Sequence, residues 1–220
     1  MSRKLGLWMM LFGILMLLGS GAWLIYNDYE DKQAGSAAES QLSVLVQQIQ
    51  GQQTEPQAST EETEVEAIPT ETLWIPEEIP TEAEVTEPTM PAMEVEGETY
   101  IGYLSMPTIK IELPIMSDWN YDKLLRAPCY YYGTVENGNL VLMAHNYTRH
   151  FGKLSLLKKG DRISFVDIHG VTTEYEVLFR ETLPPHCIPE LIEGTYDLTL
   201  FTCTYSGANR IVVRCDQITE

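Results

Sequence analysis

The chain has 220 residues, 44% of them hydrophobic, and a formal net charge of −18. That length allows one or two domains. The acidity is concentrated: residues 27–98 hold 18 acidic residues and one lysine, and residues 99–220 hold 14 acidic against 11 basic, which leaves no basic surface for the phosphates of a nucleic acid.

The N-terminus reads "MSRKLGLWMMLFGILMLLGSGAWLIYND". Arg3 and Lys4 precede an uncharged run over residues 5–27. A helix of that length spans roughly 30 Å, one hydrocarbon core. Residues 5–26 are therefore expected to cross a membrane. The two basic residues stay in the cytoplasm and the remainder of the chain lies outside. Trp23 and Tyr26 suit the outer interface. A cleaved signal peptide is the competing reading, since "GSGA" offers small residues to a peptidase. The apolar run is longer than the ~7–15 residues of an ordinary signal core, which favours a retained anchor.

Residues 28–98 are rich in Glu, Thr, Gln, Pro and Ala. Such a segment buries too little apolar surface to offset its ordering entropy. It is expected to be a disordered acidic linker, stretched by like charges and stiffened by proline, that holds the following domain away from the membrane. Within it, "SQLSVLVQQIQ" (residues 40–50) has the spacing of a short amphipathic helix. Trp74-Ile75 is an isolated apolar pair in this acidic stretch.

From residue 99 the pattern changes to short apolar runs broken by turn residues. Strands are expected at 100–106, 109–116, 130–134, 140–144, 162–168, 172–179, 198–203 and 210–215. "DIHGVTTEYEV" reads as a hairpin turning at His169-Gly170. "SDWNYDKLLRAP" reads as a short helix capped by Ser117 or Asp118 and stopped before Pro128. A second helical turn is expected in "RHFGKLSLLKKGD". Eight short strands with one or two short helices in ~120 residues point to an all-β class, a small closed barrel. The domain organisation is thus 1–27 cytoplasmic tip and anchor, 28–98 stalk, 99–220 folded domain.

The chemistry concentrates in "LTLFTCTYSGANR" (residues 198–210). On the first strand Thr199, Phe201 and Cys203 share a face; on the next, Arg210, Val212 and Arg214 do. The short polar connection suits an antiparallel hairpin. With Ile211 and Val213 inward, Cys203 shares an outward groove with Arg210, where a guanidinium favours a thiolate or steadies an oxyanion. Arg214 is the alternative cation. Of four histidines, His145 ends the apolar run "NLVLMAHNY" at a strand terminus and is the leading proton carrier, ahead of His150, His169 and His186. Taken singly, a cysteine on a β-face is a small buried hydrophobe, and a histidine at a strand end satisfies a backbone group. The four cysteines form no C-x-x-C pair, so a zinc or thioredoxin-type site has no support.

Together "TLFTC", Arg210 at the start of the next strand, and "LMAHN" (residues 142–146) near sixty residues upstream resemble the sortase signature. "GYLSMPTIKIELPI" (residues 102–115) is similar to the first strands of that family. The resemblance covers roughly residues 100–215. It implies a sortase-like eight-stranded barrel and a cysteine transpeptidase of Gram-positive cell surfaces. It implies Cys203 as nucleophile, His145 as general acid and base, and Arg210 as oxyanion stabiliser. The substrates would be surface proteins or pilins bearing a C-terminal sorting signal of the LPxTG kind. The acceptor would be an amine of a peptidoglycan precursor or of a pilin lysine. No cofactor and no metal are required. Some relatives bind calcium before the cysteine strand, but Glu181, Glu190 and Glu193 are scattered. Cys187 reads as a packing thiol, and Cys129 and Cys215 as free thiols. The connection from Cys203 to Arg210 is shorter than in some members. An L,D-transpeptidase would place arginine at position 205, which is Tyr205, and a papain-like enzyme reverses the Cys/His order. A membrane-tethered adhesion or sensing domain without catalysis is the alternative from another class.

Overall fold

The computed structural model describes residues 3–54 and 90–219. A helix α1 (Arg3–Thr54) comes first. Nine strands follow: β1 (Met93–Val95), β2 (Glu98–Met106), β3 (Ile111–Met116), β4 (Cys129–Tyr132), β5 (Leu140–Met143), β6 (Arg162–Asp167), β7 (Thr172–Leu183), β8 (Leu198–Cys203) and β9 (Arg210–Gln217). Two short helices, α2 (Tyr121–Leu124) and α3 (Ile188–Ile192), and two 3-10 turns complete the chain.

The eight expected strands are β2 to β9, and they close into a barrel. Their order is β2-β3-β4-β5-β8-β9-β7-β6, and β6 pairs back onto β2. The sheet is mixed, because β3–β4 and β5–β8 run parallel. The short β1 pairs with the N-terminal end of β2. Closure depends on Gly102. Its φ is +143°, and a Cβ there would sit 2.0 Å from the Val166 carbonyl oxygen. Any side chain would therefore push β2 off β6 where the ring shuts.

The alternation read from the sequence sorts the two faces. Leu104, Leu142, Phe165, Tyr175, Leu198, Leu200 and Val213 are buried in the barrel interior. Each such aliphatic side chain contributes about 1.5–3 kcal/mol by leaving water. The β6–β7 hairpin turns where expected: Asp167 Oδ1 accepts from the backbone N–H of His169 and of Val171. The cap of α2 differs from expectation. Asn120 is the N-cap and accepts from Lys123 N at 2.8 Å. Ser117 is engaged by Thr99, and Asp118 pairs with Lys123 through its side chain, so neither is free to cap.

The largest difference lies in α1. The helix does not give way to a flexible stalk at residue 28 but continues to Thr54. Its N-terminal part is long and apolar enough to cross a membrane. Beyond it, Ala34, Ala38, Leu45 and Ile49 are buried against the domain. The spacing of 4, 7 and 4 keeps them on one helical face. Small residues in "QAGSAAES" let the backbone come close: a Cβ on Gly35 would stand 2.0 Å from Arg149 Cδ. Asp31 Oδ1 accepts from Arg149 N at 3.2 Å, and Gln53 Nε2 donates to the carbonyls of His169 (3.4 Å) and Gly170 (3.3 Å). Tertiary packing thus orders a segment whose acidity alone argued for disorder. The remaining stalk sequence, including Trp74-Ile75, lies outside the described residues.

Candidate active site

The site is assembled by register. In the parallel pair, Leu140, Val141, Leu142 and Met143 of β5 stand beside Leu198, Thr199, Leu200 and Phe201 of β8. The two chains stay together past the strand ends. Ala144 N donates to Phe201 O at 3.3 Å, Thr202 Oγ1 donates to Ala144 O at 2.8 Å, and Asn146 Nδ2 donates to Thr204 O at 3.3 Å. The same offset puts His145 alongside Cys203. On the other edge of β8, Cys203 is the antiparallel partner of Arg210. Cys203 and Arg210 are thus paired across β8 and β9, and His145 follows two residues past the end of β5 at the same end of the barrel.

The face follows from the alternation. Leu198 and Leu200 point into the core, and Thr202 is buried with its hydroxyl on Ala144 O. Thr199, Phe201 and Cys203 take the opposite face. There Phe201, Val141 and Val212 form a second apolar cluster with Cys187 and Leu191 of the β7–β8 connection. That connection, with α3, packs over this face.

All four cysteines are free thiols. Cys129, Cys187 and Cys215 are buried, and Cys203 alone is partly exposed. Burial pushes the Cys129 thiol up to about 12 and raises those of Cys187 and Cys215 as well. Among the cysteines, then, only Cys203 offers an accessible sulfur.

His145 is half-buried, and its Nε2 has no hydrogen-bond partner. Its ring lies 5.2 Å from Tyr147 and 6.4 Å from Tyr121, centroid to centroid. Burial lowers its pKa below the ordinary value, and the carboxylate of Glu30 on α1 opposes that in part. The shift favours the neutral ring. Glu30 is not visible as a site neighbour in the sequence, because its approach depends on α1 folding back along the domain.

Arg210 is half-exposed, and its Nη1 donates to Gly207 O and Asn209 O, each at 3.2 Å. The turn therefore aims the guanidinium and leaves its other N–H groups available. Arg214 cannot take that role. It is 2% exposed and held by Glu181 Oε1 at 2.8 Å, Thr199 Oγ1 at 3.0 Å and Glu190 O at 2.6 Å. These contacts also commit Glu181. The other histidines stand apart: His169 and His186 are exposed in turns, and His150 is fully buried beside Tyr147. Among the described residues, no group of three or more His, Cys, Asp or Glu is gathered as metal ligands.

The sortase domain model matches residues 104–218, more than half of the chain and nearly the whole barrel. Solved structures agree. Sortase C1 from Streptococcus agalactiae is 25% identical with a TM-score of 0.52, over 58% of this chain and 72% of that one. Sortase C1 of GBS Pilus Island 1 is 27% identical with a TM-score of 0.50, over 55% and 65%. Sortase C from Clostridium perfringens SM101 is 30% identical with a TM-score of 0.48, over 55% and 71%. No curated protein matches the chain. The chain belongs to the sortase family, a family of cysteine transpeptidases.

Proposed function

We propose that Cys203, His145 and Arg210 are the catalytic set of a membrane-anchored transpeptidase acting on a C-terminal sorting signal of the LPxTG kind. The observation that supports this is the meeting at one barrel end of the Cys203–Arg210 pair and the segment carrying His145, which Thr202 Oγ1 holds through Ala144 O. The neutral imidazole of His145 takes the thiol proton of Cys203. The sulfur then attacks the carbonyl carbon of the threonine in the sorting signal. Arg210 stabilises the oxyanion that develops. As the intermediate collapses, the carbon–nitrogen bond breaks and His145 gives its proton to the leaving amine. A thioester remains on Cys203. An acceptor amine, from a peptidoglycan precursor or a pilin lysine, attacks that thioester and loses a proton to His145, which releases the joined product and restores the thiol. Residues 5–26 would hold the enzyme in the membrane, with Arg3 and Lys4 on the cytoplasmic side and the barrel outside.

Mass spectrometry of the full chain after incubation with sorting peptides tests this reading. A mass gain confined to the peptide containing Cys203, absent in Cys203→Ala and strongly reduced in His145→Ala and Arg210→Ala, is expected. Transpeptidation that survives in Cys203→Ala would show the nucleophile to be another group.

A further inference from the structure

The helix α1 acts as a ruler along the barrel. From Asn27, where the uncharged run ends, to Gln53 it rises about 40 Å at ~1.5 Å per residue. Its far end holds the β6–β7 turn through Gln53 on His169 O and Gly170 O. Its near end stands against the active-site loops. Trp23, Leu24, Asn27, Asp28 and Asp31 line one cleft of about 470 Å³ together with Tyr205 and the segment after His145. The catalytic end of the barrel therefore lies level with the end of the apolar run, and the hairpin 168–171 lies far from it.

We propose that the β8–β9 turn, led by Tyr205, docks in the headgroup layer of the membrane that α1 crosses, so that the Cys203 end of the barrel lies at the lipid surface. This rests on α1 being a membrane span. The turn residues 204–209 read "TYSGAN" and carry no charge. Tyr205 is 86% exposed, in the same cleft as Trp23, which is 64% exposed. Tyrosine and tryptophan at one level are the residues that settle at a membrane–water boundary, ring toward the acyl chains and polar atom toward water. The surface is thus continuous with the span, and its occupant is the lipid interface. A substrate or acceptor still held in the bilayer would then reach Cys203 without leaving it.

The test uses the full chain carrying Cys203→Ala with one reporter cysteine, Ala208→Cys, or Val171→Cys as the distal control. The other cysteines are buried and do not label. Each variant is labelled with an environment-sensitive fluorophore and reconstituted in phosphatidylcholine vesicles containing a lipid with a shallow nitroxide. The label at 208 should emit to the blue of the label at 171 and be quenched several-fold more strongly. Adding Tyr205→Asp should weaken that quenching. Equal, water-like emission and equal quenching at both positions overturn the docking. Unchanged quenching with Tyr205→Asp overturns Tyr205 as the anchor. Flotation of the vesicles is read in parallel: a chain that fails to co-float shows that the span, and the docking with it, is wrong, whereas a co-floating chain with a dry turn sinks the docking alone. Neither readout depends on turnover, so the catalytic assignment stands or falls separately.

Discussion

Arg214→Met removes a buried cation while keeping much of the side chain's volume. In the native chain the guanidinium donates to Glu181 Oε1 at 2.8 Å, Thr199 Oγ1 at 3.0 Å, Leu191 O at 3.4 Å and Glu190 O at 2.6 Å. The Tyr196 ring centroid is 4.9 Å from its central carbon. Hydrogen bonds to a charged group contribute about 1.5–3 kcal/mol each. They do not sum here, because Glu181 is 32% exposed and regains water. The α3 carbonyls likewise rehydrate once α3 lifts. Losing one partner of a buried pair costs about 3–5 kcal/mol, and these offsets place the change near the lower end, about 3 kcal/mol. The effect is local, since two of the four bonds tie the α3 segment to the barrel. Hydrogen exchange at Leu191 and Glu193, whose amides bond to Cys187 O and Pro189 O, should speed up about 100-fold. The KM for a sorting peptide should rise while acylation at saturating peptide holds, because the α3 cover over the β8 face loosens and the Cys203–Arg210 pair does not. Arg214→Lys, which keeps the charge without the planar fork, should recover only part. A Met variant with native exchange over residues 188–196 and native KM would refute the clamp.

Three further outcomes follow from the α1 contact. His150 is fully buried, and burial lowers its pKa to about 4 against the ordinary 6.5, while Asp31 and the Ala34 carbonyl oppose the shift and His145 adds to it. The native ring is neutral where the unfolded chain would accept a proton, so its contribution is full above pH 6.5 and is lost as pH falls toward 4, by about 3 kcal/mol over that window. His150→Phe should flatten the slope in urea melts at pH 7.5 and 5, and an unchanged slope would disprove it. Ala38→Glu places a carboxylate at a site with 0% exposure and should free α1 from the barrel, seen as faster proteolysis and exchange over residues 30–53 with the barrel itself intact. Glu30→Gln removes the carboxylate that raises the His145 pKa. The limb of the acylation pH profile that reports His145 should move to lower pH, and a move upward would contradict the placement of Glu30.

The barrel was legible because strand alternation is a local signal: Leu198, Leu200 and Val213 face inward as the period of two requires, with Ile211 packed against them. Cys203 and Arg210 could be paired from a short hairpin. His145 could be placed only at a strand end, because nothing local says that β5 runs parallel to β8. The clamp by Arg214 was hidden for the same reason, since two of its four acceptors, the carbonyls of Glu190 and Leu191, lie on a connection brought over the sheet from elsewhere. The course of α1 was misjudged on composition. Its alanines and Gly35 look uninformative in a polar stretch, yet their small size is what lets the helix lie on the domain.

Pairing β5 with β8 has a kinetic side. Ala144 and Thr202 are 58 residues apart in sequence, as are His145 and Cys203. Contacts so distant along the chain form late, after the intervening hairpin has closed. With the catalytic set proposed above, a nascent molecule would carry an inert sulfur until its last strands zip together, and a half-made chain would have no base beside its thiol.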